Sequence, residues 1–338
     1  MRFSPVLVLT TSLVVTLAAP HPARGWGATG HRIIGRLAVQ SLPAELPDFL
    51  RSGAAQEAVG ELAREPDRWK DSGLAHDAGR DPAHYLDLGD DGRVFGGPLL
   101  TELPATRADY ETALRAAGSD SWHAGYLPYA IVDGWQQLTK DLAYWRVETA
   151  AARKVEDRAH RAWMAADARR RENLILRDLG VLAHYVGDGS QPMHVSAHFN
   201  GWGPGPNPEG FTQGHVHAYF EGAFVRNYID ADVVRPQMKP YEEHPGAIAQ
   251  RAAAYLAATN AEVVPFYRLQ KSGGFQEGDP RGRAFAARRL AAGAAELRDE
   301  IVDAWRASSR MAVGYPGIRL ADVLAGKVDP YDSLYGLD

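Results

Sequence analysis

The residues of this chain that are best suited to chemistry are histidines and carboxylates near its centre. His184 and Asp188 are four residues apart in an apolar run, so on a helix both side chains project from one face. His217 and Glu221 repeat this spacing on a second predicted helix. Imidazole beside carboxylate is a common ligand pair for first-row metals. The two pairs therefore predict a metal site.

The end of the first predicted helix supplies a fifth candidate ligand, His194. Gly187, Gly189 and Pro192 precede it, and we expect them to break the helix and turn His194 back toward His184. A single histidine on an apolar helix is usually a core residue with a satisfied hydrogen bond. Burying five ionisable groups together is costly without a metal or partners, so the cluster favours metal binding.

Composition limits the kind of protein and the kind of metal site. The chain has 338 residues, of which 45% are hydrophobic and 23% charged, as in a globular protein with a sizeable core. Its net charge of -5 argues against gripping duplex DNA through a basic surface. The absence of cysteine excludes disulfides and thiolate ligands, so metal must be held by His, carboxylate or backbone groups.

The first 25 residues are typical of a signal peptide. Arg2 supplies positive charge, residues 6–19 are apolar, and Ala23 and Gly25 are small residues at the two positions that a signal peptidase reads. The apolar run is short for a transmembrane anchor, which is the alternative interpretation. We predict cleavage before Trp26, a secreted or periplasmic protein, and one domain over residues 26–338.

Cleavage there would give the mature chain a metal-binding start. A free terminal amine has a pKa near 8, so the amine of Trp26 can lose its proton to a metal, and its carbonyl oxygen can ligate as well. His31 lies on the helix predicted to follow.

The rest of the chain predicts helical scaffold. Apolar residues recur at spacings of three and four in two long segments, which predicts amphipathic helices at Ile131, Trp135, Leu138, Leu142 and Trp145 and at Leu290, Ala294, Leu297, Ile301 and Trp305. Only Tyr85 to Phe95 suggests a short pair of strands. The predicted fold is all-α, a single multi-helix domain. Two Gly/Pro-rich loops, Gly89 to Pro98 and Gly201 to Gly214, are expected to form walls of the site.

Three motifs carry a resemblance to a known superfamily. They are the start WGATGH at Trp26, the run HYVGDGSQPMH at His184, and the later His-x3-Glu. In this order they resemble the three-zinc single-strand nucleases of fungi and plants and the bacterial zinc-dependent phospholipases C. The likeness extends over nearly the whole mature chain, and it implies a trinuclear zinc cleft lined by long loops.

The family also has an Asp and a His between its first two motifs. His84, in the segment DPAHYLD, matches the His. Asp67 and Asp71 are both candidates for the Asp, and Asp67 is preferred because Lys70 follows it by three positions, as a basic residue does in the nucleases. The alternative for Lys70 and Arg68 is a solvated helix end.

The resemblance implies three zinc ions with nine ligand residues. One ion would take Asp67, His84, His184 and Asp188. A second would take His194, His217 and Glu221. The third would take Trp26, His31 and the other oxygen of Asp188. His215 is a rival to His217 if the helix is shifted, and His198 is left without a role.

The implied reaction is metal-assisted hydrolysis of a phosphodiester without a covalent intermediate. Asp67 would orient the attacking water and Lys70 would neutralise charge on the phosphate. Single-stranded DNA or RNA is the favoured substrate, with bases stacked on an aromatic residue such as Phe199, Trp202 or Phe211. Met193 and Glu221 look more like the phospholipases, so phospholipid is the alternative substrate. A secreted zinc-binding protein without catalysis is the third hypothesis.

Overall fold

A computed structural model describes residues 25–203, 205–244 and 246–336, and it confirms the all-α prediction. The predicted signal peptide lies outside these residues, except for Gly25. The helices are α1 Gly27–Gln40, α2 Asp48–Arg51, α3 Gly53–Leu62, α4 Glu65–Arg68, α5 Leu74–Arg80, α6 Arg107–Ala116, α7 Ser121–Ala124, α8 Leu127–Lys154, α9 Arg158–Ser190, α10 Val225–Tyr228, α11 Ala231–Val234, α12 Ile248–Asn260, α13 Val263–Lys271, α14 Pro280–Ser308, α15 Leu320–Leu324 and α16 Tyr331–Tyr335.

Shorter turns complete the helical part of the chain. Single 3₁₀ turns span Asp81–His84, Leu100–Glu102, Pro192–His194 and Arg235–Gln237, and a π-helical turn spans Tyr219–Phe224. β1 Ala312–Val313 pairs antiparallel with β2 Ile318–Arg319. The strand pair suggested near Tyr85 is present only as isolated bridges, one of which joins Leu88 to Val94.

The long helices α8, α9 and α14 pack with α1 around one core. The predicted apolar stripes face this core: Ile131 and Leu142 of α8 are fully buried, as are Leu290 and Leu297 of α14. Burial of these side chains is the main stabilising contribution. No helix in the described part of the chain is both long and apolar enough to cross a bilayer.

The predicted break of the central helix at its glycines is wrong. α9 continues through Gly187 and Gly189 and ends at Ser190. The glycines serve close packing, because a Cβ on Gly187 would lie 3.0 Å from Nδ1 of His31, and one on Gly189 would lie 2.8 Å from the Tyr255 ring. Pro192, just past the helix, opens the 3₁₀ turn that carries His194.

Candidate metal centre

The structure brings the candidate ligands into three groups, each with ligand atoms within 4.8 Å of one another. The groups are Asp67, His84 and His184; His31, His184 and Asp188; and His194, His217 and Glu221. All of these residues are buried except Asp67, which is partly exposed. α1, α4, α9, two 3₁₀ turns and residues 217–221 therefore bring their polar side chains together.

Asp188 lies between the first two groups. Its Oδ2 is 3.1 Å from Nδ1 of His84 and 3.2 Å from Nε2 of His184, while Oδ1 faces Nε2 of His31 at 3.4 Å. Neither ring nitrogen of His31, nor Oδ1 of Asp188, has a hydrogen bond to any described group. Buried polar atoms are rarely left in this state. A carboxylate with each oxygen facing a different group suits a bridge between two cations.

Backbone carbonyls orient two of the imidazoles. Nδ1 of His184 lies 2.8 Å from the carbonyl oxygen of Ala63, and Nδ1 of His194 bonds to that of His84 at 2.6 Å. A carbonyl only accepts, so both Nδ1 atoms carry the proton and both Nε2 atoms present a lone pair in the neutral ring. Nε2 of His184 then faces Nδ1 of His84 at 2.8 Å. Such a hydrogen bond from a metal-binding histidine to a carbonyl is the usual way of fixing its ring.

Burial sets the protonation of these rings. It lowers the pKa of His84 to about 3, with the charge of Lys70 acting in the same direction. It also lowers the pKa of His31 and brings that of His217 to about 4. Neutral imidazole is the form that binds metal. These three rings are already neutral at neutral pH, so they do not have to lose a proton when a metal binds.

Asp188 and His184 are shifted in opposite directions. Burial alone would raise the pKa of Asp188, but the neighbouring His184 and His194 bring it well below its ordinary value. Burial alone would lower the pKa of His184. The Asp188 and Asp67 carboxylates have the larger combined effect, and they raise the pKa of His184 above its ordinary value. The carboxylate at the centre of the cluster is therefore held in its ionised, ligating form.

The third group is anchored by Asn200, which directly precedes the second Gly/Pro-rich loop. The side-chain oxygen of Asn200 accepts the backbone N–H groups of Val216 and His217 at 3.2 and 3.3 Å, which anchors the start of the helix carrying His217. Nε2 of His217 is 2.6 Å from Oε2 of Glu221, and Nε2 of His194 is 3.5 Å from the same oxygen. Burial raises the pKa of Glu221 to about 8. A bound cation would oppose that shift and favour the carboxylate.

The structure separates the two candidate aspartates. Asp67 groups with His84 and His184, whereas Asp71 is exposed. Lys70 donates to Oδ1 of Asp67 at 2.7 Å, and its side chain is only 7% exposed. Burial alone would raise the pKa of Asp67, but His184 and Lys70 hold it below its ordinary value. Arg68 pairs with Glu65 at the surface, as expected of a residue at a solvated helix end. The Lys70 side chain is buried against Asp67 and does not fit that alternative.

Trp26 lies at the start of α1, next to the candidate ligands. The residue is fully buried, and its indole N–H donates to the hydroxyl of Ser190 at 2.7 Å. Gly25 lies directly beside the ligands: a Cβ on it would be 1.8 Å from Oδ1 of Asp188 and 2.8 Å from Nε2 of His31. Residue 25 therefore occupies the space next to His31.

The aromatic residues proposed for base stacking differ in exposure. Trp202 and Phe211 are buried and pack against each other and against Tyr267, so they are core residues of the loop. Phe199 is 41% exposed and remains available for stacking. His198 stacks on Trp202 of the second Gly/Pro-rich loop, and its Nε2 lies 3.2 Å from the carboxylate of Asp90 in the first. His198 therefore connects the two loops.

Several groups that hold the centre carried no recognisable signal in the sequence. The Ala63 carbonyl, the Ser190 hydroxyl and the Asn200 amide each orient a candidate ligand or its segment. His215, the rival to His217, is exposed and bonds to Asn200. It stands in none of the three groups.

Comparison with known proteins identifies a family for most of the chain. The S1/P1 Nuclease family model matches residues 26–329, a span that begins at Trp26 and includes every candidate ligand. A search of curated proteins found no significant match.

Proposed function

This chain belongs to the S1/P1 nuclease family of zinc-dependent phosphodiester hydrolases, and on that premise we propose that it cuts single-stranded nucleic acid with three zinc ions. The first ion is held by Asp67, His84, His184 and Asp188. The second is held by His194, His217 and Glu221. The third is held by the amine and carbonyl of Trp26, His31 and the second oxygen of Asp188.

The proposal rests on one observation: buried nitrogen and oxygen atoms of the candidate ligands face one another, and several of them have no hydrogen bond. Nε2 of His194, Nε2 of His217 and both nitrogens of His31 lack hydrogen bonds within the described structure. Desolvating a polar group without a partner costs about 1–3 kcal/mol. A divalent cation at each position would satisfy one nitrogen of each ring, and His with carboxylate is an ordinary zinc donor set.

The chemistry that bound zinc supplies is Lewis acidity, which makes water a better nucleophile near neutral pH and stabilises negative charge on the phosphate. The chain's own residues position the reactants. Asp67, ionised and partly exposed at the edge of the centre, accepts a hydrogen bond from water and orients it for in-line attack. Lys70, fixed 2.7 Å from Asp67, places a positive charge where the phosphate gains negative charge.

Removal of residues 1–25 is part of the proposed function. Cleavage before Trp26 takes Gly25 away from His31 and Asp188 and converts a peptide nitrogen into an amine that can ligate. The enzyme is then completed on export, to the periplasm or the exterior of the cell. The nine-residue ligand set becomes available only in the mature chain.

The substrate is tested with the mature protein, beginning at Trp26 and loaded with zinc. Single-stranded DNA, duplex DNA, RNA, phosphatidylcholine and a nitrophenyl phosphodiester are each supplied with and without a chelator. We expect the single strands and the nitrophenyl ester to be hydrolysed, the duplex to be cut more slowly, and chelator to abolish all of this activity. Hydrolysis of phosphatidylcholine alone would show a phospholipase, and hydrolysis of nothing would show a zinc-binding protein without catalysis.

A further inference from the structure

A groove of about 580 Å³ lies beside the metal centre. It is bounded by the start of α8, the last third of α9 and the segment 69–83. Its walls combine three aromatic rings with three guanidinium groups: Trp69, Tyr126, Tyr185, Arg80, Arg107 and Arg177. We refer to it as the arginine groove.

The guanidinium groups of the arginine groove lie over its aromatic rings. Arg107 is 3.5 Å from the centre of the Tyr126 ring, and Arg80 is 5.2 Å from that of Trp69. No described carboxylate lies within ion-pair distance of Arg80, and the nearest to Arg107 is Glu111, at 4.0 Å. Both cations thus lie over rings, and only Arg107 has an acid nearby, at the outer limit of an ion pair.

Acidic groups in the same walls are fewer than the basic ones. Arg177 pairs with Asp178 at 2.8 Å, and Asp133 is the other carboxylate that lines the groove. Burial raises the pKa of both aspartates. Three guanidinium groups against two carboxylates make the groove locally positive on a chain with a net charge of -5. The groove is therefore more favourable to a polyanion than the average of this acidic chain.

The arginine groove runs up to the metal centre. Trp69, Ala83 and Tyr185 line it, and each stands next in the chain to a residue of the centre: Lys70, His84 and His184. The Tyr185 ring meets both His84 and His184 edge-on, with centroids 5.7 and 5.6 Å apart. One aromatic ring separates the groove from the ligands.

We infer that the arginine groove holds the sugar-phosphate chain of a single strand on one side of the bond that is cut. Guanidinium groups bind phosphate oxygens in pairs, and the exposed faces of aromatic rings accept unstacked bases. Arg80 and Arg107 bind phosphates, while Trp69 offers its ring beside Lys70. This inference rests on the proposed function, since it names how an extended substrate is held at the same centre.

The test compares two double variants of the zinc-loaded mature enzyme. Arg80→Gln with Arg107→Gln removes two charges from the groove. Arg153→Gln with Arg158→Gln removes two from exposed positions at the far ends of α8 and α9. Because a helix rises about 1.5 Å per residue, Arg153 lies about 40 Å along α8 from its start at the groove. The substrates are a short oligothymidylate and the nitrophenyl phosphodiester.

We expect the groove variant to lower the ratio of kcat/KM for the oligothymidylate to kcat/KM for the small ester by about tenfold. Each phosphate contact with a single strand contributes about 0.7 to the slope of log affinity against log salt, so the slope should become shallower by about 1.4. The remote variant should keep both wild-type values. A structural fault would not change the salt dependence in this way.

Three other results would overturn the inference, and only the third also refutes the proposed function. If the wild type cleaves the oligothymidylate and the groove variant keeps its ratio and its salt slope, the groove is not a strand-binding site, although the enzyme is still a nuclease. If the groove variant keeps that ratio but loses binding to phosphatidylglycerol vesicles, the groove is a lipid surface. A wild type that cleaves neither substrate refutes the proposed function as well.

Discussion

At the scale of single residues, the candidate ligands are held by groups from other parts of the chain. The carbonyl oxygen of Ala63 orients His184, that of His84 orients His194, and the Ser190 hydroxyl accepts from Trp26. The rings are therefore directed inward by the fold itself, and less rotational freedom is lost when metal binds.

The choice between the two aspartates gives the first residue-scale prediction. Asp67→Asn should lower kcat about a hundredfold or more and weaken the binding of one zinc ion, because it removes an ionised ligand and the partner of Lys70. Asp71→Asn should change kcat less than about threefold. Asp71 is exposed with a φ of 63°, a conformation that Asn also tolerates. Steady-state kinetics and elemental analysis of both variants provide the measurement.

The reverse result would contradict the assignment. A mild effect of Asp67→Asn with a large effect of Asp71→Asn would mean that the alignment of this loop with the family is shifted. The role given to Lys70 would then be wrong as well, since it depends on the contact with Asp67.

Spacing alone could predict part of the centre at this scale. His184 with Asp188 and His217 with Glu221 are visible in the sequence because four residues make nearly one helical turn. Asp67 and His84 carry no such local signal, since long-range packing brings them to α9, and only the family resemblance pointed to them. The glycines of α9 were wrongly interpreted as helix breakers because the sequence does not show which side chains press against them.

At the scale of elements, the packing of α8 on α9 supports the end of α9 that carries the ligands. This interface buries Glu148 completely, although it lies among residues that continue an amphipathic pattern. Burial, with the nearby Asp167, raises the pKa of Glu148 to about 8, and Arg171 opposes the shift. The sequence could not predict this, because a glutamate on a long helix normally belongs to its solvent face.

The raised pKa predicts how Glu148 contributes to stability. The ordinary pKa is 4.5, so between about pH 4.5 and 8 the folded protein retains a proton that the unfolded chain has released. Stability therefore falls as pH rises through this window, by about 3 kcal/mol from pH 5 to pH 8 for this group. Glu148→Gln should remove that part of the pH dependence and leave the variant more stable than the wild type at pH 8.

Urea unfolding of zinc-loaded protein at several pH values measures the difference between variant and wild type. Glu156→Gln, at an exposed position between α8 and α9, is the matched control and should follow the wild-type curve. Parallel curves for Glu148→Gln and wild type would mean that Glu148 ionises in the folded protein as it does in the unfolded chain.

At the scale of the whole molecule, the helical architecture could be predicted because periodic apolar stripes on α8 and α14 specify which faces are buried. The two-residue strands β1 and β2 could not be predicted, because an alternation of apolar and polar residues cannot be recognised over two residues. The arginine groove was also beyond sequence reasoning. Its arginines come from three separate segments and meet only in the folded chain.

Trp26, where the proposed mature chain begins, links the whole molecule to the candidate metal centre. Gly25 lies beside His31 and Asp188, where a side chain at this position would clash with both, and Trp26 is fully buried at the start of α1. Any residue left before Trp26 keeps its nitrogen in a peptide bond, which is a poor donor to zinc. The proposed trinuclear centre therefore depends on where the chain begins.

The proposed trinuclear centre is tested by counting zinc ions per chain, by elemental analysis, in protein that begins at Trp26. We predict three ions, and two when a methionine precedes Trp26, because only the ion bound by the terminal amine is lost. Equal counts would contradict the terminal ligand. One ion or none in the chain beginning at Trp26, purified with zinc present, would contradict the trinuclear centre itself.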